Sequence, residues 1–292
     1  MTPAPLDRSS LVEARGVLTK ACAFDRADVV ADEKLFGDGP SGPPRAFGAW
    51  LGDELVGVAS VAADRVRVLA VMPEARGRGI GSALLATCEQ AARDDGRSRL
   101  RALDQPGNYL APGIDESNVE TIAWLERRGW TRSGEPRLNV LIDVRGNPRV
   151  SGERAADAAG RATGYEIRRA RADESALLDA VATEFGGAWP FELARSLGHL
   201  PAGVHVALRD GAYCAFAAHD GNNRGLGWFG PTGTWPAHRG RGLGEALLLA
   251  CLVDVATDHD RCEVAWIGPR PFYDKVAGVA ADRRFVLLAR DL

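Results

Sequence analysis

Two kinds of hydrophobic pattern follow one another along the chain. From Val66 to Val71 the side chains alternate as they do in a strand, and the run Ile80–Ala92 has the spacing of an amphipathic helix. The same succession returns later, where a strand-like segment precedes a helix over Leu243–Ala256. Each pair follows a hairpin pattern, with its turn at Gly52-Asp53 or Asp210-Gly211. The chain therefore predicts a strand, turn and helix unit that occurs twice.

The remaining predicted elements surround these two units. They are strands over 46–51, 55–61, 100–103, 138–144, 165–168, 204–208, 212–218, 262–267 and 284–289, and helices over 11–23, 27–36, 118–128, 173–185 and 271–277. We expect the strand over Leu138–Val144 to close the first sheet. The first half shows no opening strand, so its sheet is either one strand short or completed by the other half. Residues 1–145 then form one lobe, and 164–292 form a second lobe. Residues 146–163 form a linker without hydrophobic periodicity, partly helical over Glu153–Ala159.

A glycine-rich motif marks the start of both helices. Arg76-Gly77-Arg78-Gly79-Ile80-Gly81 and Arg239-Gly240-Arg241-Gly242-Leu243-Gly244 lie 163 residues apart, and Pro73–Cys88 matches Pro236–Cys251 at 10 of 16 positions. Glycines let the backbone turn tightly and bring its N–H groups close to a ligand. A helix N-terminus adds unsatisfied donors that favour an anion, such as phosphate. The sequence thus indicates a duplicated domain with an anion-binding turn in each copy.

Each motif resembles the acyl-CoA-binding motif of the GCN5-related N-acetyltransferases (GNAT family), Arg/Gln-x-x-Gly-x-Gly/Ala. The resemblance implies an α/β (α+β) fold of two tandem lobes, each a mixed, mostly antiparallel sheet flanked by helices. It also implies that the strand before the motif splays from its neighbour and holds the pantetheine arm of acetyl-CoA, while the turn holds the pyrophosphate. The expected binding residues are Leu69, Ala70, Val71, Arg76, Gly77, Arg78, Gly79, Ile80 and Gly81 in the first lobe, and Thr232, Gly233, Thr234, Arg239, Gly240, Arg241, Gly242, Leu243 and Gly244 in the second.

The same resemblance assigns a general acid in the second lobe. The segment Phe272-Tyr273-Asp274-Lys275-Val276-Ala277-Gly278 is similar to the family's Phe-Tyr-Glu-Lys-x-x-Gly, which places Tyr273 at the proton donor's position. Leu125 stands at that position in the first lobe and cannot donate a proton. Backbone donors for the thioester oxygen are expected around Thr234-Trp235 and Val71-Met72. We therefore expect a catalytic second lobe and a first lobe that binds CoA without turnover.

The general base and the acceptor pocket stay open on the sequence. His205, His219, His238 and Glu263 are candidate bases, and we carry forward Glu263, whose inward carboxylate could take a proton through water. A structural role is the alternative for each. Six aromatic residues line an acceptor pocket or, as we favour, form core: Trp189, Phe191, Trp228, Phe229, Trp235 and Trp266. The polar-tipped loop Asn108–Asp115 is expected to reach substrate or the other lobe.

Composition narrows the partners. The formal net charge is −3, from 36 basic and 39 acidic residues, which disfavours a nucleic-acid partner. No apolar run approaches the roughly 18 residues of a membrane span, and the N-terminus lacks a signal-peptide core. Five cysteines form no Cys-x-x-Cys pair, so neither a metal site nor a disulfide frame is predicted. We expect a soluble, cytoplasmic protein, monomeric or homodimeric.

The resulting hypothesis is an N-acetyltransferase that moves the acetyl group of acetyl-CoA to a primary amine of a small molecule. One alternative is a non-catalytic acetyl-CoA-binding or regulatory protein that keeps both motifs for ligand binding. Another is a protein N-acetyltransferase, which an acidic or extended groove would favour.

Overall fold

A computed structural model describes residues 2–292. The chain divides into two compact units. Unit 1 is the chain up to Arg137 together with Arg284–Leu292, and unit 2 is Leu138–Arg283. Strands and helices are numbered along the whole chain. No helix among the described residues combines the length and apolar content needed to cross a bilayer.

Unit 1 is built on a mixed sheet of seven strands. The strands are β1 (Ala4–Pro5), β2 (Arg45–Leu51), β3 (Glu54–Ala62), β4 (Arg65–Val71), β5 (Arg99–Ala102), β7 (Thr131–Arg132) and β15 (Leu288–Asp291), in spatial order β1-β2-β3-β4-β5-β15-β7. A further short strand, β6 (Ile114–Asp115), pairs with residues 285–286. The helices are α1 (Leu11–Ala21), α2 (Ala31–Phe36), α3 (Ile80–Asp94) and α4 (Val119–Glu126). Only β4 and β5 run parallel, so the sheet is mostly antiparallel, as expected.

Unit 2 repeats this plan. Its strands are β8 (Arg137–Asp143), β9 (Glu166–Arg169), β10 (Val204–Arg209), β11 (Ala212–His219), β12 (Trp228–Thr234), β13 (Arg261–Val264) and the start of β14 (Ala281–Val286), in spatial order β14-β8-β13-β12-β11-β10-β9. The helices are α5 (Gly152–Arg161), α6 (Ser175–Glu184), α7 (Trp189–Leu197), α8 (Leu243–Asp258) and α9 (Arg270–Ala277). Here β12 and β13 are the parallel pair.

The strand after the first repeat does not join the first sheet, so that expectation is wrong. β8 pairs antiparallel with β13 of unit 2, where Val140 and Ile142 are fully buried in the core. The sheet of unit 1 is instead completed by β15, which pairs with β5 on one side and β7 on the other. A hydrophobic alternation defines a strand and its buried face, but it does not specify which edge the strand joins.

The sheet of unit 2 carries a separate core on each face. Ala215 and Ala217 of β11 belong to the core under α5 and α8, whereas Phe216 and Ala218 belong to the core under α6 and α7. This division follows from the two-residue period of a strand. Helix α5 lies in the segment expected to be a linker, capped by Ser151, whose Oγ accepts a hydrogen bond from the backbone N–H of Arg154. Its apolar residues pack on the α8 core, so the segment is part of unit 2.

Candidate functional site

In both units the strand before the glycine motif parts from its parallel neighbour. β4 pairs with β5 only through Arg65 and Val66, and β12 pairs with β13 only through Trp228 and Phe229. Beyond these residues the edges of β4 and β12 face a gap. We call these gaps the first fork, closed at Val66, and the second fork, closed at Phe229. Such a splayed strand is what the sequence resemblance implies.

The backbone N–H groups that face each fork can be assigned. The N–H of Trp235 donates to the Cys214 carbonyl (3.0 Å), and the N–H of Met72 donates to the Val56 carbonyl (2.9 Å). Both groups are therefore used inside the sheet, which leaves Thr234 and Val71 as the possible donors within the two expected regions. Because N–H groups alternate between the two sides of a strand in an antiparallel ladder, those of Thr232 and Thr234 point into the second fork.

In the first fork the backbone N–H of Met72 points toward β3, so the N–H groups of Leu69 and Val71 point to the other side, into the fork. The motif arginines have matching contacts next to these residues. Arg76 Nε donates to the Val71 carbonyl (3.1 Å), and Arg239 Nε donates to the Thr234 carbonyl (3.2 Å). Each arginine thus joins the turn to the last residue of the splayed strand. The sequence suggested anion binding for these arginines and gave no sign of this contact.

The glycine turns have the same backbone in both units. Gly77 and Gly79 have φ of 76° and 80°, and Gly240 and Gly242 have φ of 73° and 80°. Residues with a side chain rarely adopt these values, which explains the glycines. Gly79 and Gly242 are the N-caps of α3 and α8, and no side chain caps either helix.

The first N–H groups of α3 and α8 are therefore left for a ligand, and a Cβ added at any of the four turn glycines would meet no atom within 4 Å. An uncapped helix N-terminus beside open space is a good fit to the pyrophosphate of CoA. In each unit the residues expected to bind the cofactor, from the splayed strand to the first helical residues, are thus brought together along one fork and one turn.

The next motif glycine brings a second helix close to each turn. A Cβ at Gly81 would lie 3.4 Å from the ring of Trp124 in α4, and a Cβ at Gly244 would lie 3.6 Å from the ring of Phe272 in α9. Trp124 precedes Leu125 as Phe272 precedes Tyr273. The structure therefore supports the alignment that puts Leu125 and Tyr273 at equivalent positions.

Tyr273 lies at the closed end of the second fork. Its ring packs edge-on against Phe229, with 6.5 Å between the ring centroids, and is 6% exposed. Its hydroxyl has no hydrogen-bond partner within residues 2–292. Burial, with a smaller contribution from Cys262, raises the pKa of Tyr273 to about 12. The phenol is therefore protonated across the neutral range, as a proton donor must be.

Glu263 is held by two side chains near the same closed end. It is the register partner of Trp228, one residue before the fork opens. Its carboxylate accepts a hydrogen bond from Asn139 Nδ2 (2.6 Å) and from Arg283 Nη1, which is 3.0 Å from both carboxylate oxygens. Glu263 thus forms a structural ion pair with Arg283 and also lies near the closed end of the second fork, where a general base could act.

The histidines of β10 and β11 converge on one carboxylate of α8. Asp254 Oδ2 is 2.7 Å from His205 Nε2 and 3.4 Å from His219 Nε2. Burial opposes the charged form of His219, but the carboxylates of Asp220 and Asp254 outweigh it and raise the pKa of His219 to about 9. The two carboxylates favour the protonated form of His219, which makes this side chain a poor proton acceptor at neutral pH. His238 Nδ1 pairs with the Tyr165 hydroxyl at 3.0 Å.

Several of the aromatic residues considered for a pocket belong to the core under α6 and α7. Trp189 and Trp235 pack with Phe185 and Phe216 at centroid separations of 5.0 to 6.1 Å. Gly233 makes room for this cluster, since a Cβ there would lie 2.8 Å from the Phe185 ring. Both tryptophans are half-buried and pack against this core, as the core interpretation expects. Helix α7, which begins with Trp189, was not predicted, although Pro190 in its first turn is a helix-start signal.

The loop Asn108–Asp115 does not project toward a ligand at Asn108. This side chain is fully buried, accepts a hydrogen bond from Lys34 Nζ (2.8 Å) and donates to the Asp38 carbonyl (2.8 Å). The loop is thereby fixed to the segment after α2 in its own unit.

Known proteins share this sequence pattern and this fold. Residues 18–130 match the model of the acetyltransferase (GNAT) family. No curated protein matches the sequence significantly. A tandem GNAT protein from the clavulanic acid biosynthesis pathway superposes with a TM-score of 0.67 at 23% identity, over 99% of this chain and 98% of that one. A GCN5-related N-acetyltransferase from Sphaerobacter thermophilus gives a TM-score of 0.64 at 17% identity, over 99% and 95% of the chains.

A third structure contains a region described as a GCN5-related glucosamine N-acetyltransferase within a fungal multi-domain β-N-acetylglucosaminidase. It gives a TM-score of 0.77 at 15% identity, over 98% of this chain. The present chain spans only 38% of the length of that protein. At these identities the similarities show the fold, which is that of the GNAT acetyltransferases in tandem.

Proposed function

We propose that this chain, which has the fold of the tandem GNAT proteins, is an N-acetyltransferase whose second unit transfers the acetyl group of acetyl-CoA to a primary amine of a small molecule. The observation that carries this proposal is Tyr273. A buried phenol with a pKa raised to about 12 lies at the closed end of the second fork, where the resemblance puts the general acid.

Bound acetyl-CoA would supply a thioester, whose carbonyl carbon forms a bond to the amine nitrogen while its bond to sulfur breaks. The N–H groups of Thr232 and Thr234 face the fork, so they can donate to the oxygen on which negative charge develops. The hydroxyl of Tyr273 holds the proton that the departing thiolate needs. The uncapped N-terminus of α8 and the turn Gly240–Gly242 would hold the pyrophosphate.

We propose Glu263 as the base that receives the amine proton through water. Its place beside Trp228, one residue before the fork opens, supports this role. His219, the register partner of Phe229 on β11, is a weaker candidate for the base because Asp220 and Asp254 raise its pKa to about 9.

The first unit would bind acetyl-CoA without turning it over. Its turn has the same backbone as the second turn, with Gly79 as an uncapped helix N-cap. Leu125 occupies the acid's position and is buried, so no proton donor stands there. The net charge of −3 favours a small acceptor over a nucleic acid. We propose a cytoplasmic location and a monomeric or homodimeric state.

The test is a continuous assay of CoA release with a thiol reagent, run with acetyl-CoA against two panels, small primary amines and short peptides with free N-termini. Saturable release with members of the first panel is expected. Release only with peptides would make the chain a protein N-acetyltransferase. Tight acetyl-CoA binding without release from either panel would favour a non-catalytic binding protein.

A further inference from the structure

A β-bulge lies at the closed end of both forks, and the two units carry different residues in it. In unit 1 the pairing of β3 with β4 shifts register between Ser60 and Val61, which leaves Arg67 as the extra residue. In unit 2 the pairing of β11 with β12 shifts between Ala217 and His219, so that Gly230 and Pro231 lie opposite Ala218 alone. The spacing of 163 residues that aligns the two motifs also aligns Arg67 with Gly230. Bulges beside functional sites redirect a side chain.

Arg67 is fully buried at the first fork. Its Nε donates a short hydrogen bond to Gln105 Oε1, and its Nη1 donates another to the Gly37 carbonyl. These partners come from the loop after β5 and the loop after α2. The guanidinium therefore joins two loops on either side of the bulge.

The two loops are closely packed around this side chain. A Cβ added at Gly39 would lie 2.7 Å from Arg67 Nη2, so a side chain at this position would displace the guanidinium. Asn108 binds the same loop through the carbonyls of Gly37 and Asp38. Lys34, also fully buried, completes the polar cluster through its bond to Asn108. A cluster with this many hydrogen bonds is costly to open, because each group exposed without a partner loses its bond.

The second fork is different at the equivalent place. Gly230 has φ of 132°, a backbone conformation that side chains disfavour, and a Cβ there would meet no atom within 4 Å. The loop after β13 is also shorter, since α9 begins at Arg270, six residues after Val264 ends the strand. Space beside the bulge is thus filled in unit 1 and empty in unit 2.

The bulge lies close to where the acyl group would bind. Leu69 in the first fork and Thr232 in the second are each two residues from the bulge, which corresponds to about 7 Å along an extended strand. An amine that attacks the thioester carbonyl therefore has to pass close to the bulge.

We propose that the bulge residue determines which fork admits an acceptor: Arg67 closes the first fork against nucleophiles, and Gly230 leaves the second fork open to them. This inference rests on the proposed binding of acetyl-CoA to both units. It adds a second reason, independent of Leu125, why the first unit does not transfer acetyl groups. The first unit is then a site that stores or senses acetyl-CoA and protects its thioester.

The test measures how fast hydroxylamine attacks bound acetyl-CoA. Two one-site proteins are needed, Gly242→Val/Gly244→Val for the first fork and Gly79→Val/Gly81→Val for the second, each in excess over acetyl-CoA so that nearly all of it is bound. The product, acetohydroxamate, is measured as its coloured ferric complex. Acetyl-CoA in the first fork should react at least about tenfold more slowly than free acetyl-CoA, because the nucleophile is excluded from it. Acetyl-CoA in the second fork should react about as fast as free acetyl-CoA, or faster.

Arg67→Ala in the first-fork protein should remove most of this protection while acetyl-CoA still binds. The matched control is Arg65→Ala, which removes an arginine of the same strand that pairs with Asp64 and Asp104 instead. This control should stay protected. Arg67→Met, which keeps most of the side-chain volume without its charge, should also stay protected if closure is steric.

Three results would overturn the proposal. The first is equal reactivity of acetyl-CoA in the two forks. This comparison needs no change at Arg67, so it tests the proposal even when Arg67→Ala does not fold. Unchanged protection in a folded Arg67→Ala protein would overturn it as well. Absence of acetyl-CoA binding to the first-fork protein would remove its basis, yet turnover by the second fork would then still stand. Absence of turnover by the second fork, with acetyl-CoA still protected in the first fork, would instead refute only the proposed acetyltransferase activity.

Discussion

Replacing Tyr273 with phenylalanine removes one oxygen from the closed end of the second fork and leaves the ring in place. The ring's contacts with Phe229 and Phe272 do not involve the hydroxyl. Since this hydroxyl has no hydrogen-bond partner in the described chain, its removal leaves no other group unpaired, and the free energy of unfolding should not fall. Acetyl-CoA affinity should also stay the same. The variant therefore separates catalysis from folding and binding.

The expected loss of turnover follows from the acidity of this phenol. A pKa of about 12, against an ordinary value of 10, means that ionising Tyr273 costs roughly 3 kcal/mol more than in water. A thiol has a pKa of about 8.5, so full proton transfer from Tyr273 to a thiolate is unfavourable and the assistance is partial. We therefore expect a loss of about 100-fold in kcat, the lower end of what general acids contribute.

The assay is CoA release at saturating acetyl-CoA, with the affinity measured separately by calorimetry. Tyr213→Phe is the matched control, because it removes a tyrosine hydroxyl of the same unit that bonds to Glu174 (3.0 Å) and faces no fork. Its kcat should equal that of the wild type. Because Tyr273 must be protonated and its pKa is raised, no alkaline fall in kcat from this residue is expected below about pH 11. Wild-type kcat in Tyr273→Phe would refute the assignment of the acid.

Three further predictions concern residues around the sites. His219→Asn should remove a pH dependence of stability, measured by urea unfolding. The pKa of His219 is raised from 6.5 to about 9, so its contribution of about 3 kcal/mol is complete below pH 6.5 and is lost as the pH rises through 9. Glu263→Gln should lower the free energy of unfolding by about 1–3 kcal/mol, because it weakens the pair with Arg283. A loss of kcat/KM larger than the unfolded fraction explains would support Glu263 as the general base. Ala289→Pro should destabilise unit 1 by about 3 kcal/mol or more, because β15 has a neighbouring strand on both sides. The first-fork protein should then bind acetyl-CoA more weakly, and unchanged binding would contradict this prediction.

The parts of the site that the sequence could predict are local. The turn around Gly79 and Gly242 and the helix that follows it depend on glycine conformation and on a run of apolar residues next to it in the chain. Tyr273 could be placed because the segment Phe272–Gly278 resembles a short family motif, and Leu125 because an aromatic residue precedes it and a glycine follows it in a similar way. Such features need no knowledge of distant contacts.

The parts that the sequence could not predict depend on pairing between distant segments. β8 has a clear strand pattern, but its partner is β13, and the strand that completes the first sheet lies at residues 288–291. Alternation placed Arg67 opposite its apolar neighbours, which is typical of an exposed side chain. The structure buries it because two loops, distant in the chain, supply hydrogen-bond partners.

The central claim is that both units bind acetyl-CoA and only the second transfers its acetyl group. Calorimetric titration with acetyl-CoA tests the first part, and CoA release on the same samples tests the second. The wild type should show two sites, and Gly242→Val/Gly244→Val and Gly79→Val/Gly81→Val should each show one, because valine is strained at a φ of 80°. Turnover should be lost in Gly242→Val/Gly244→Val alone. Turnover that survives this change and disappears in Gly79→Val/Gly81→Val would contradict the account.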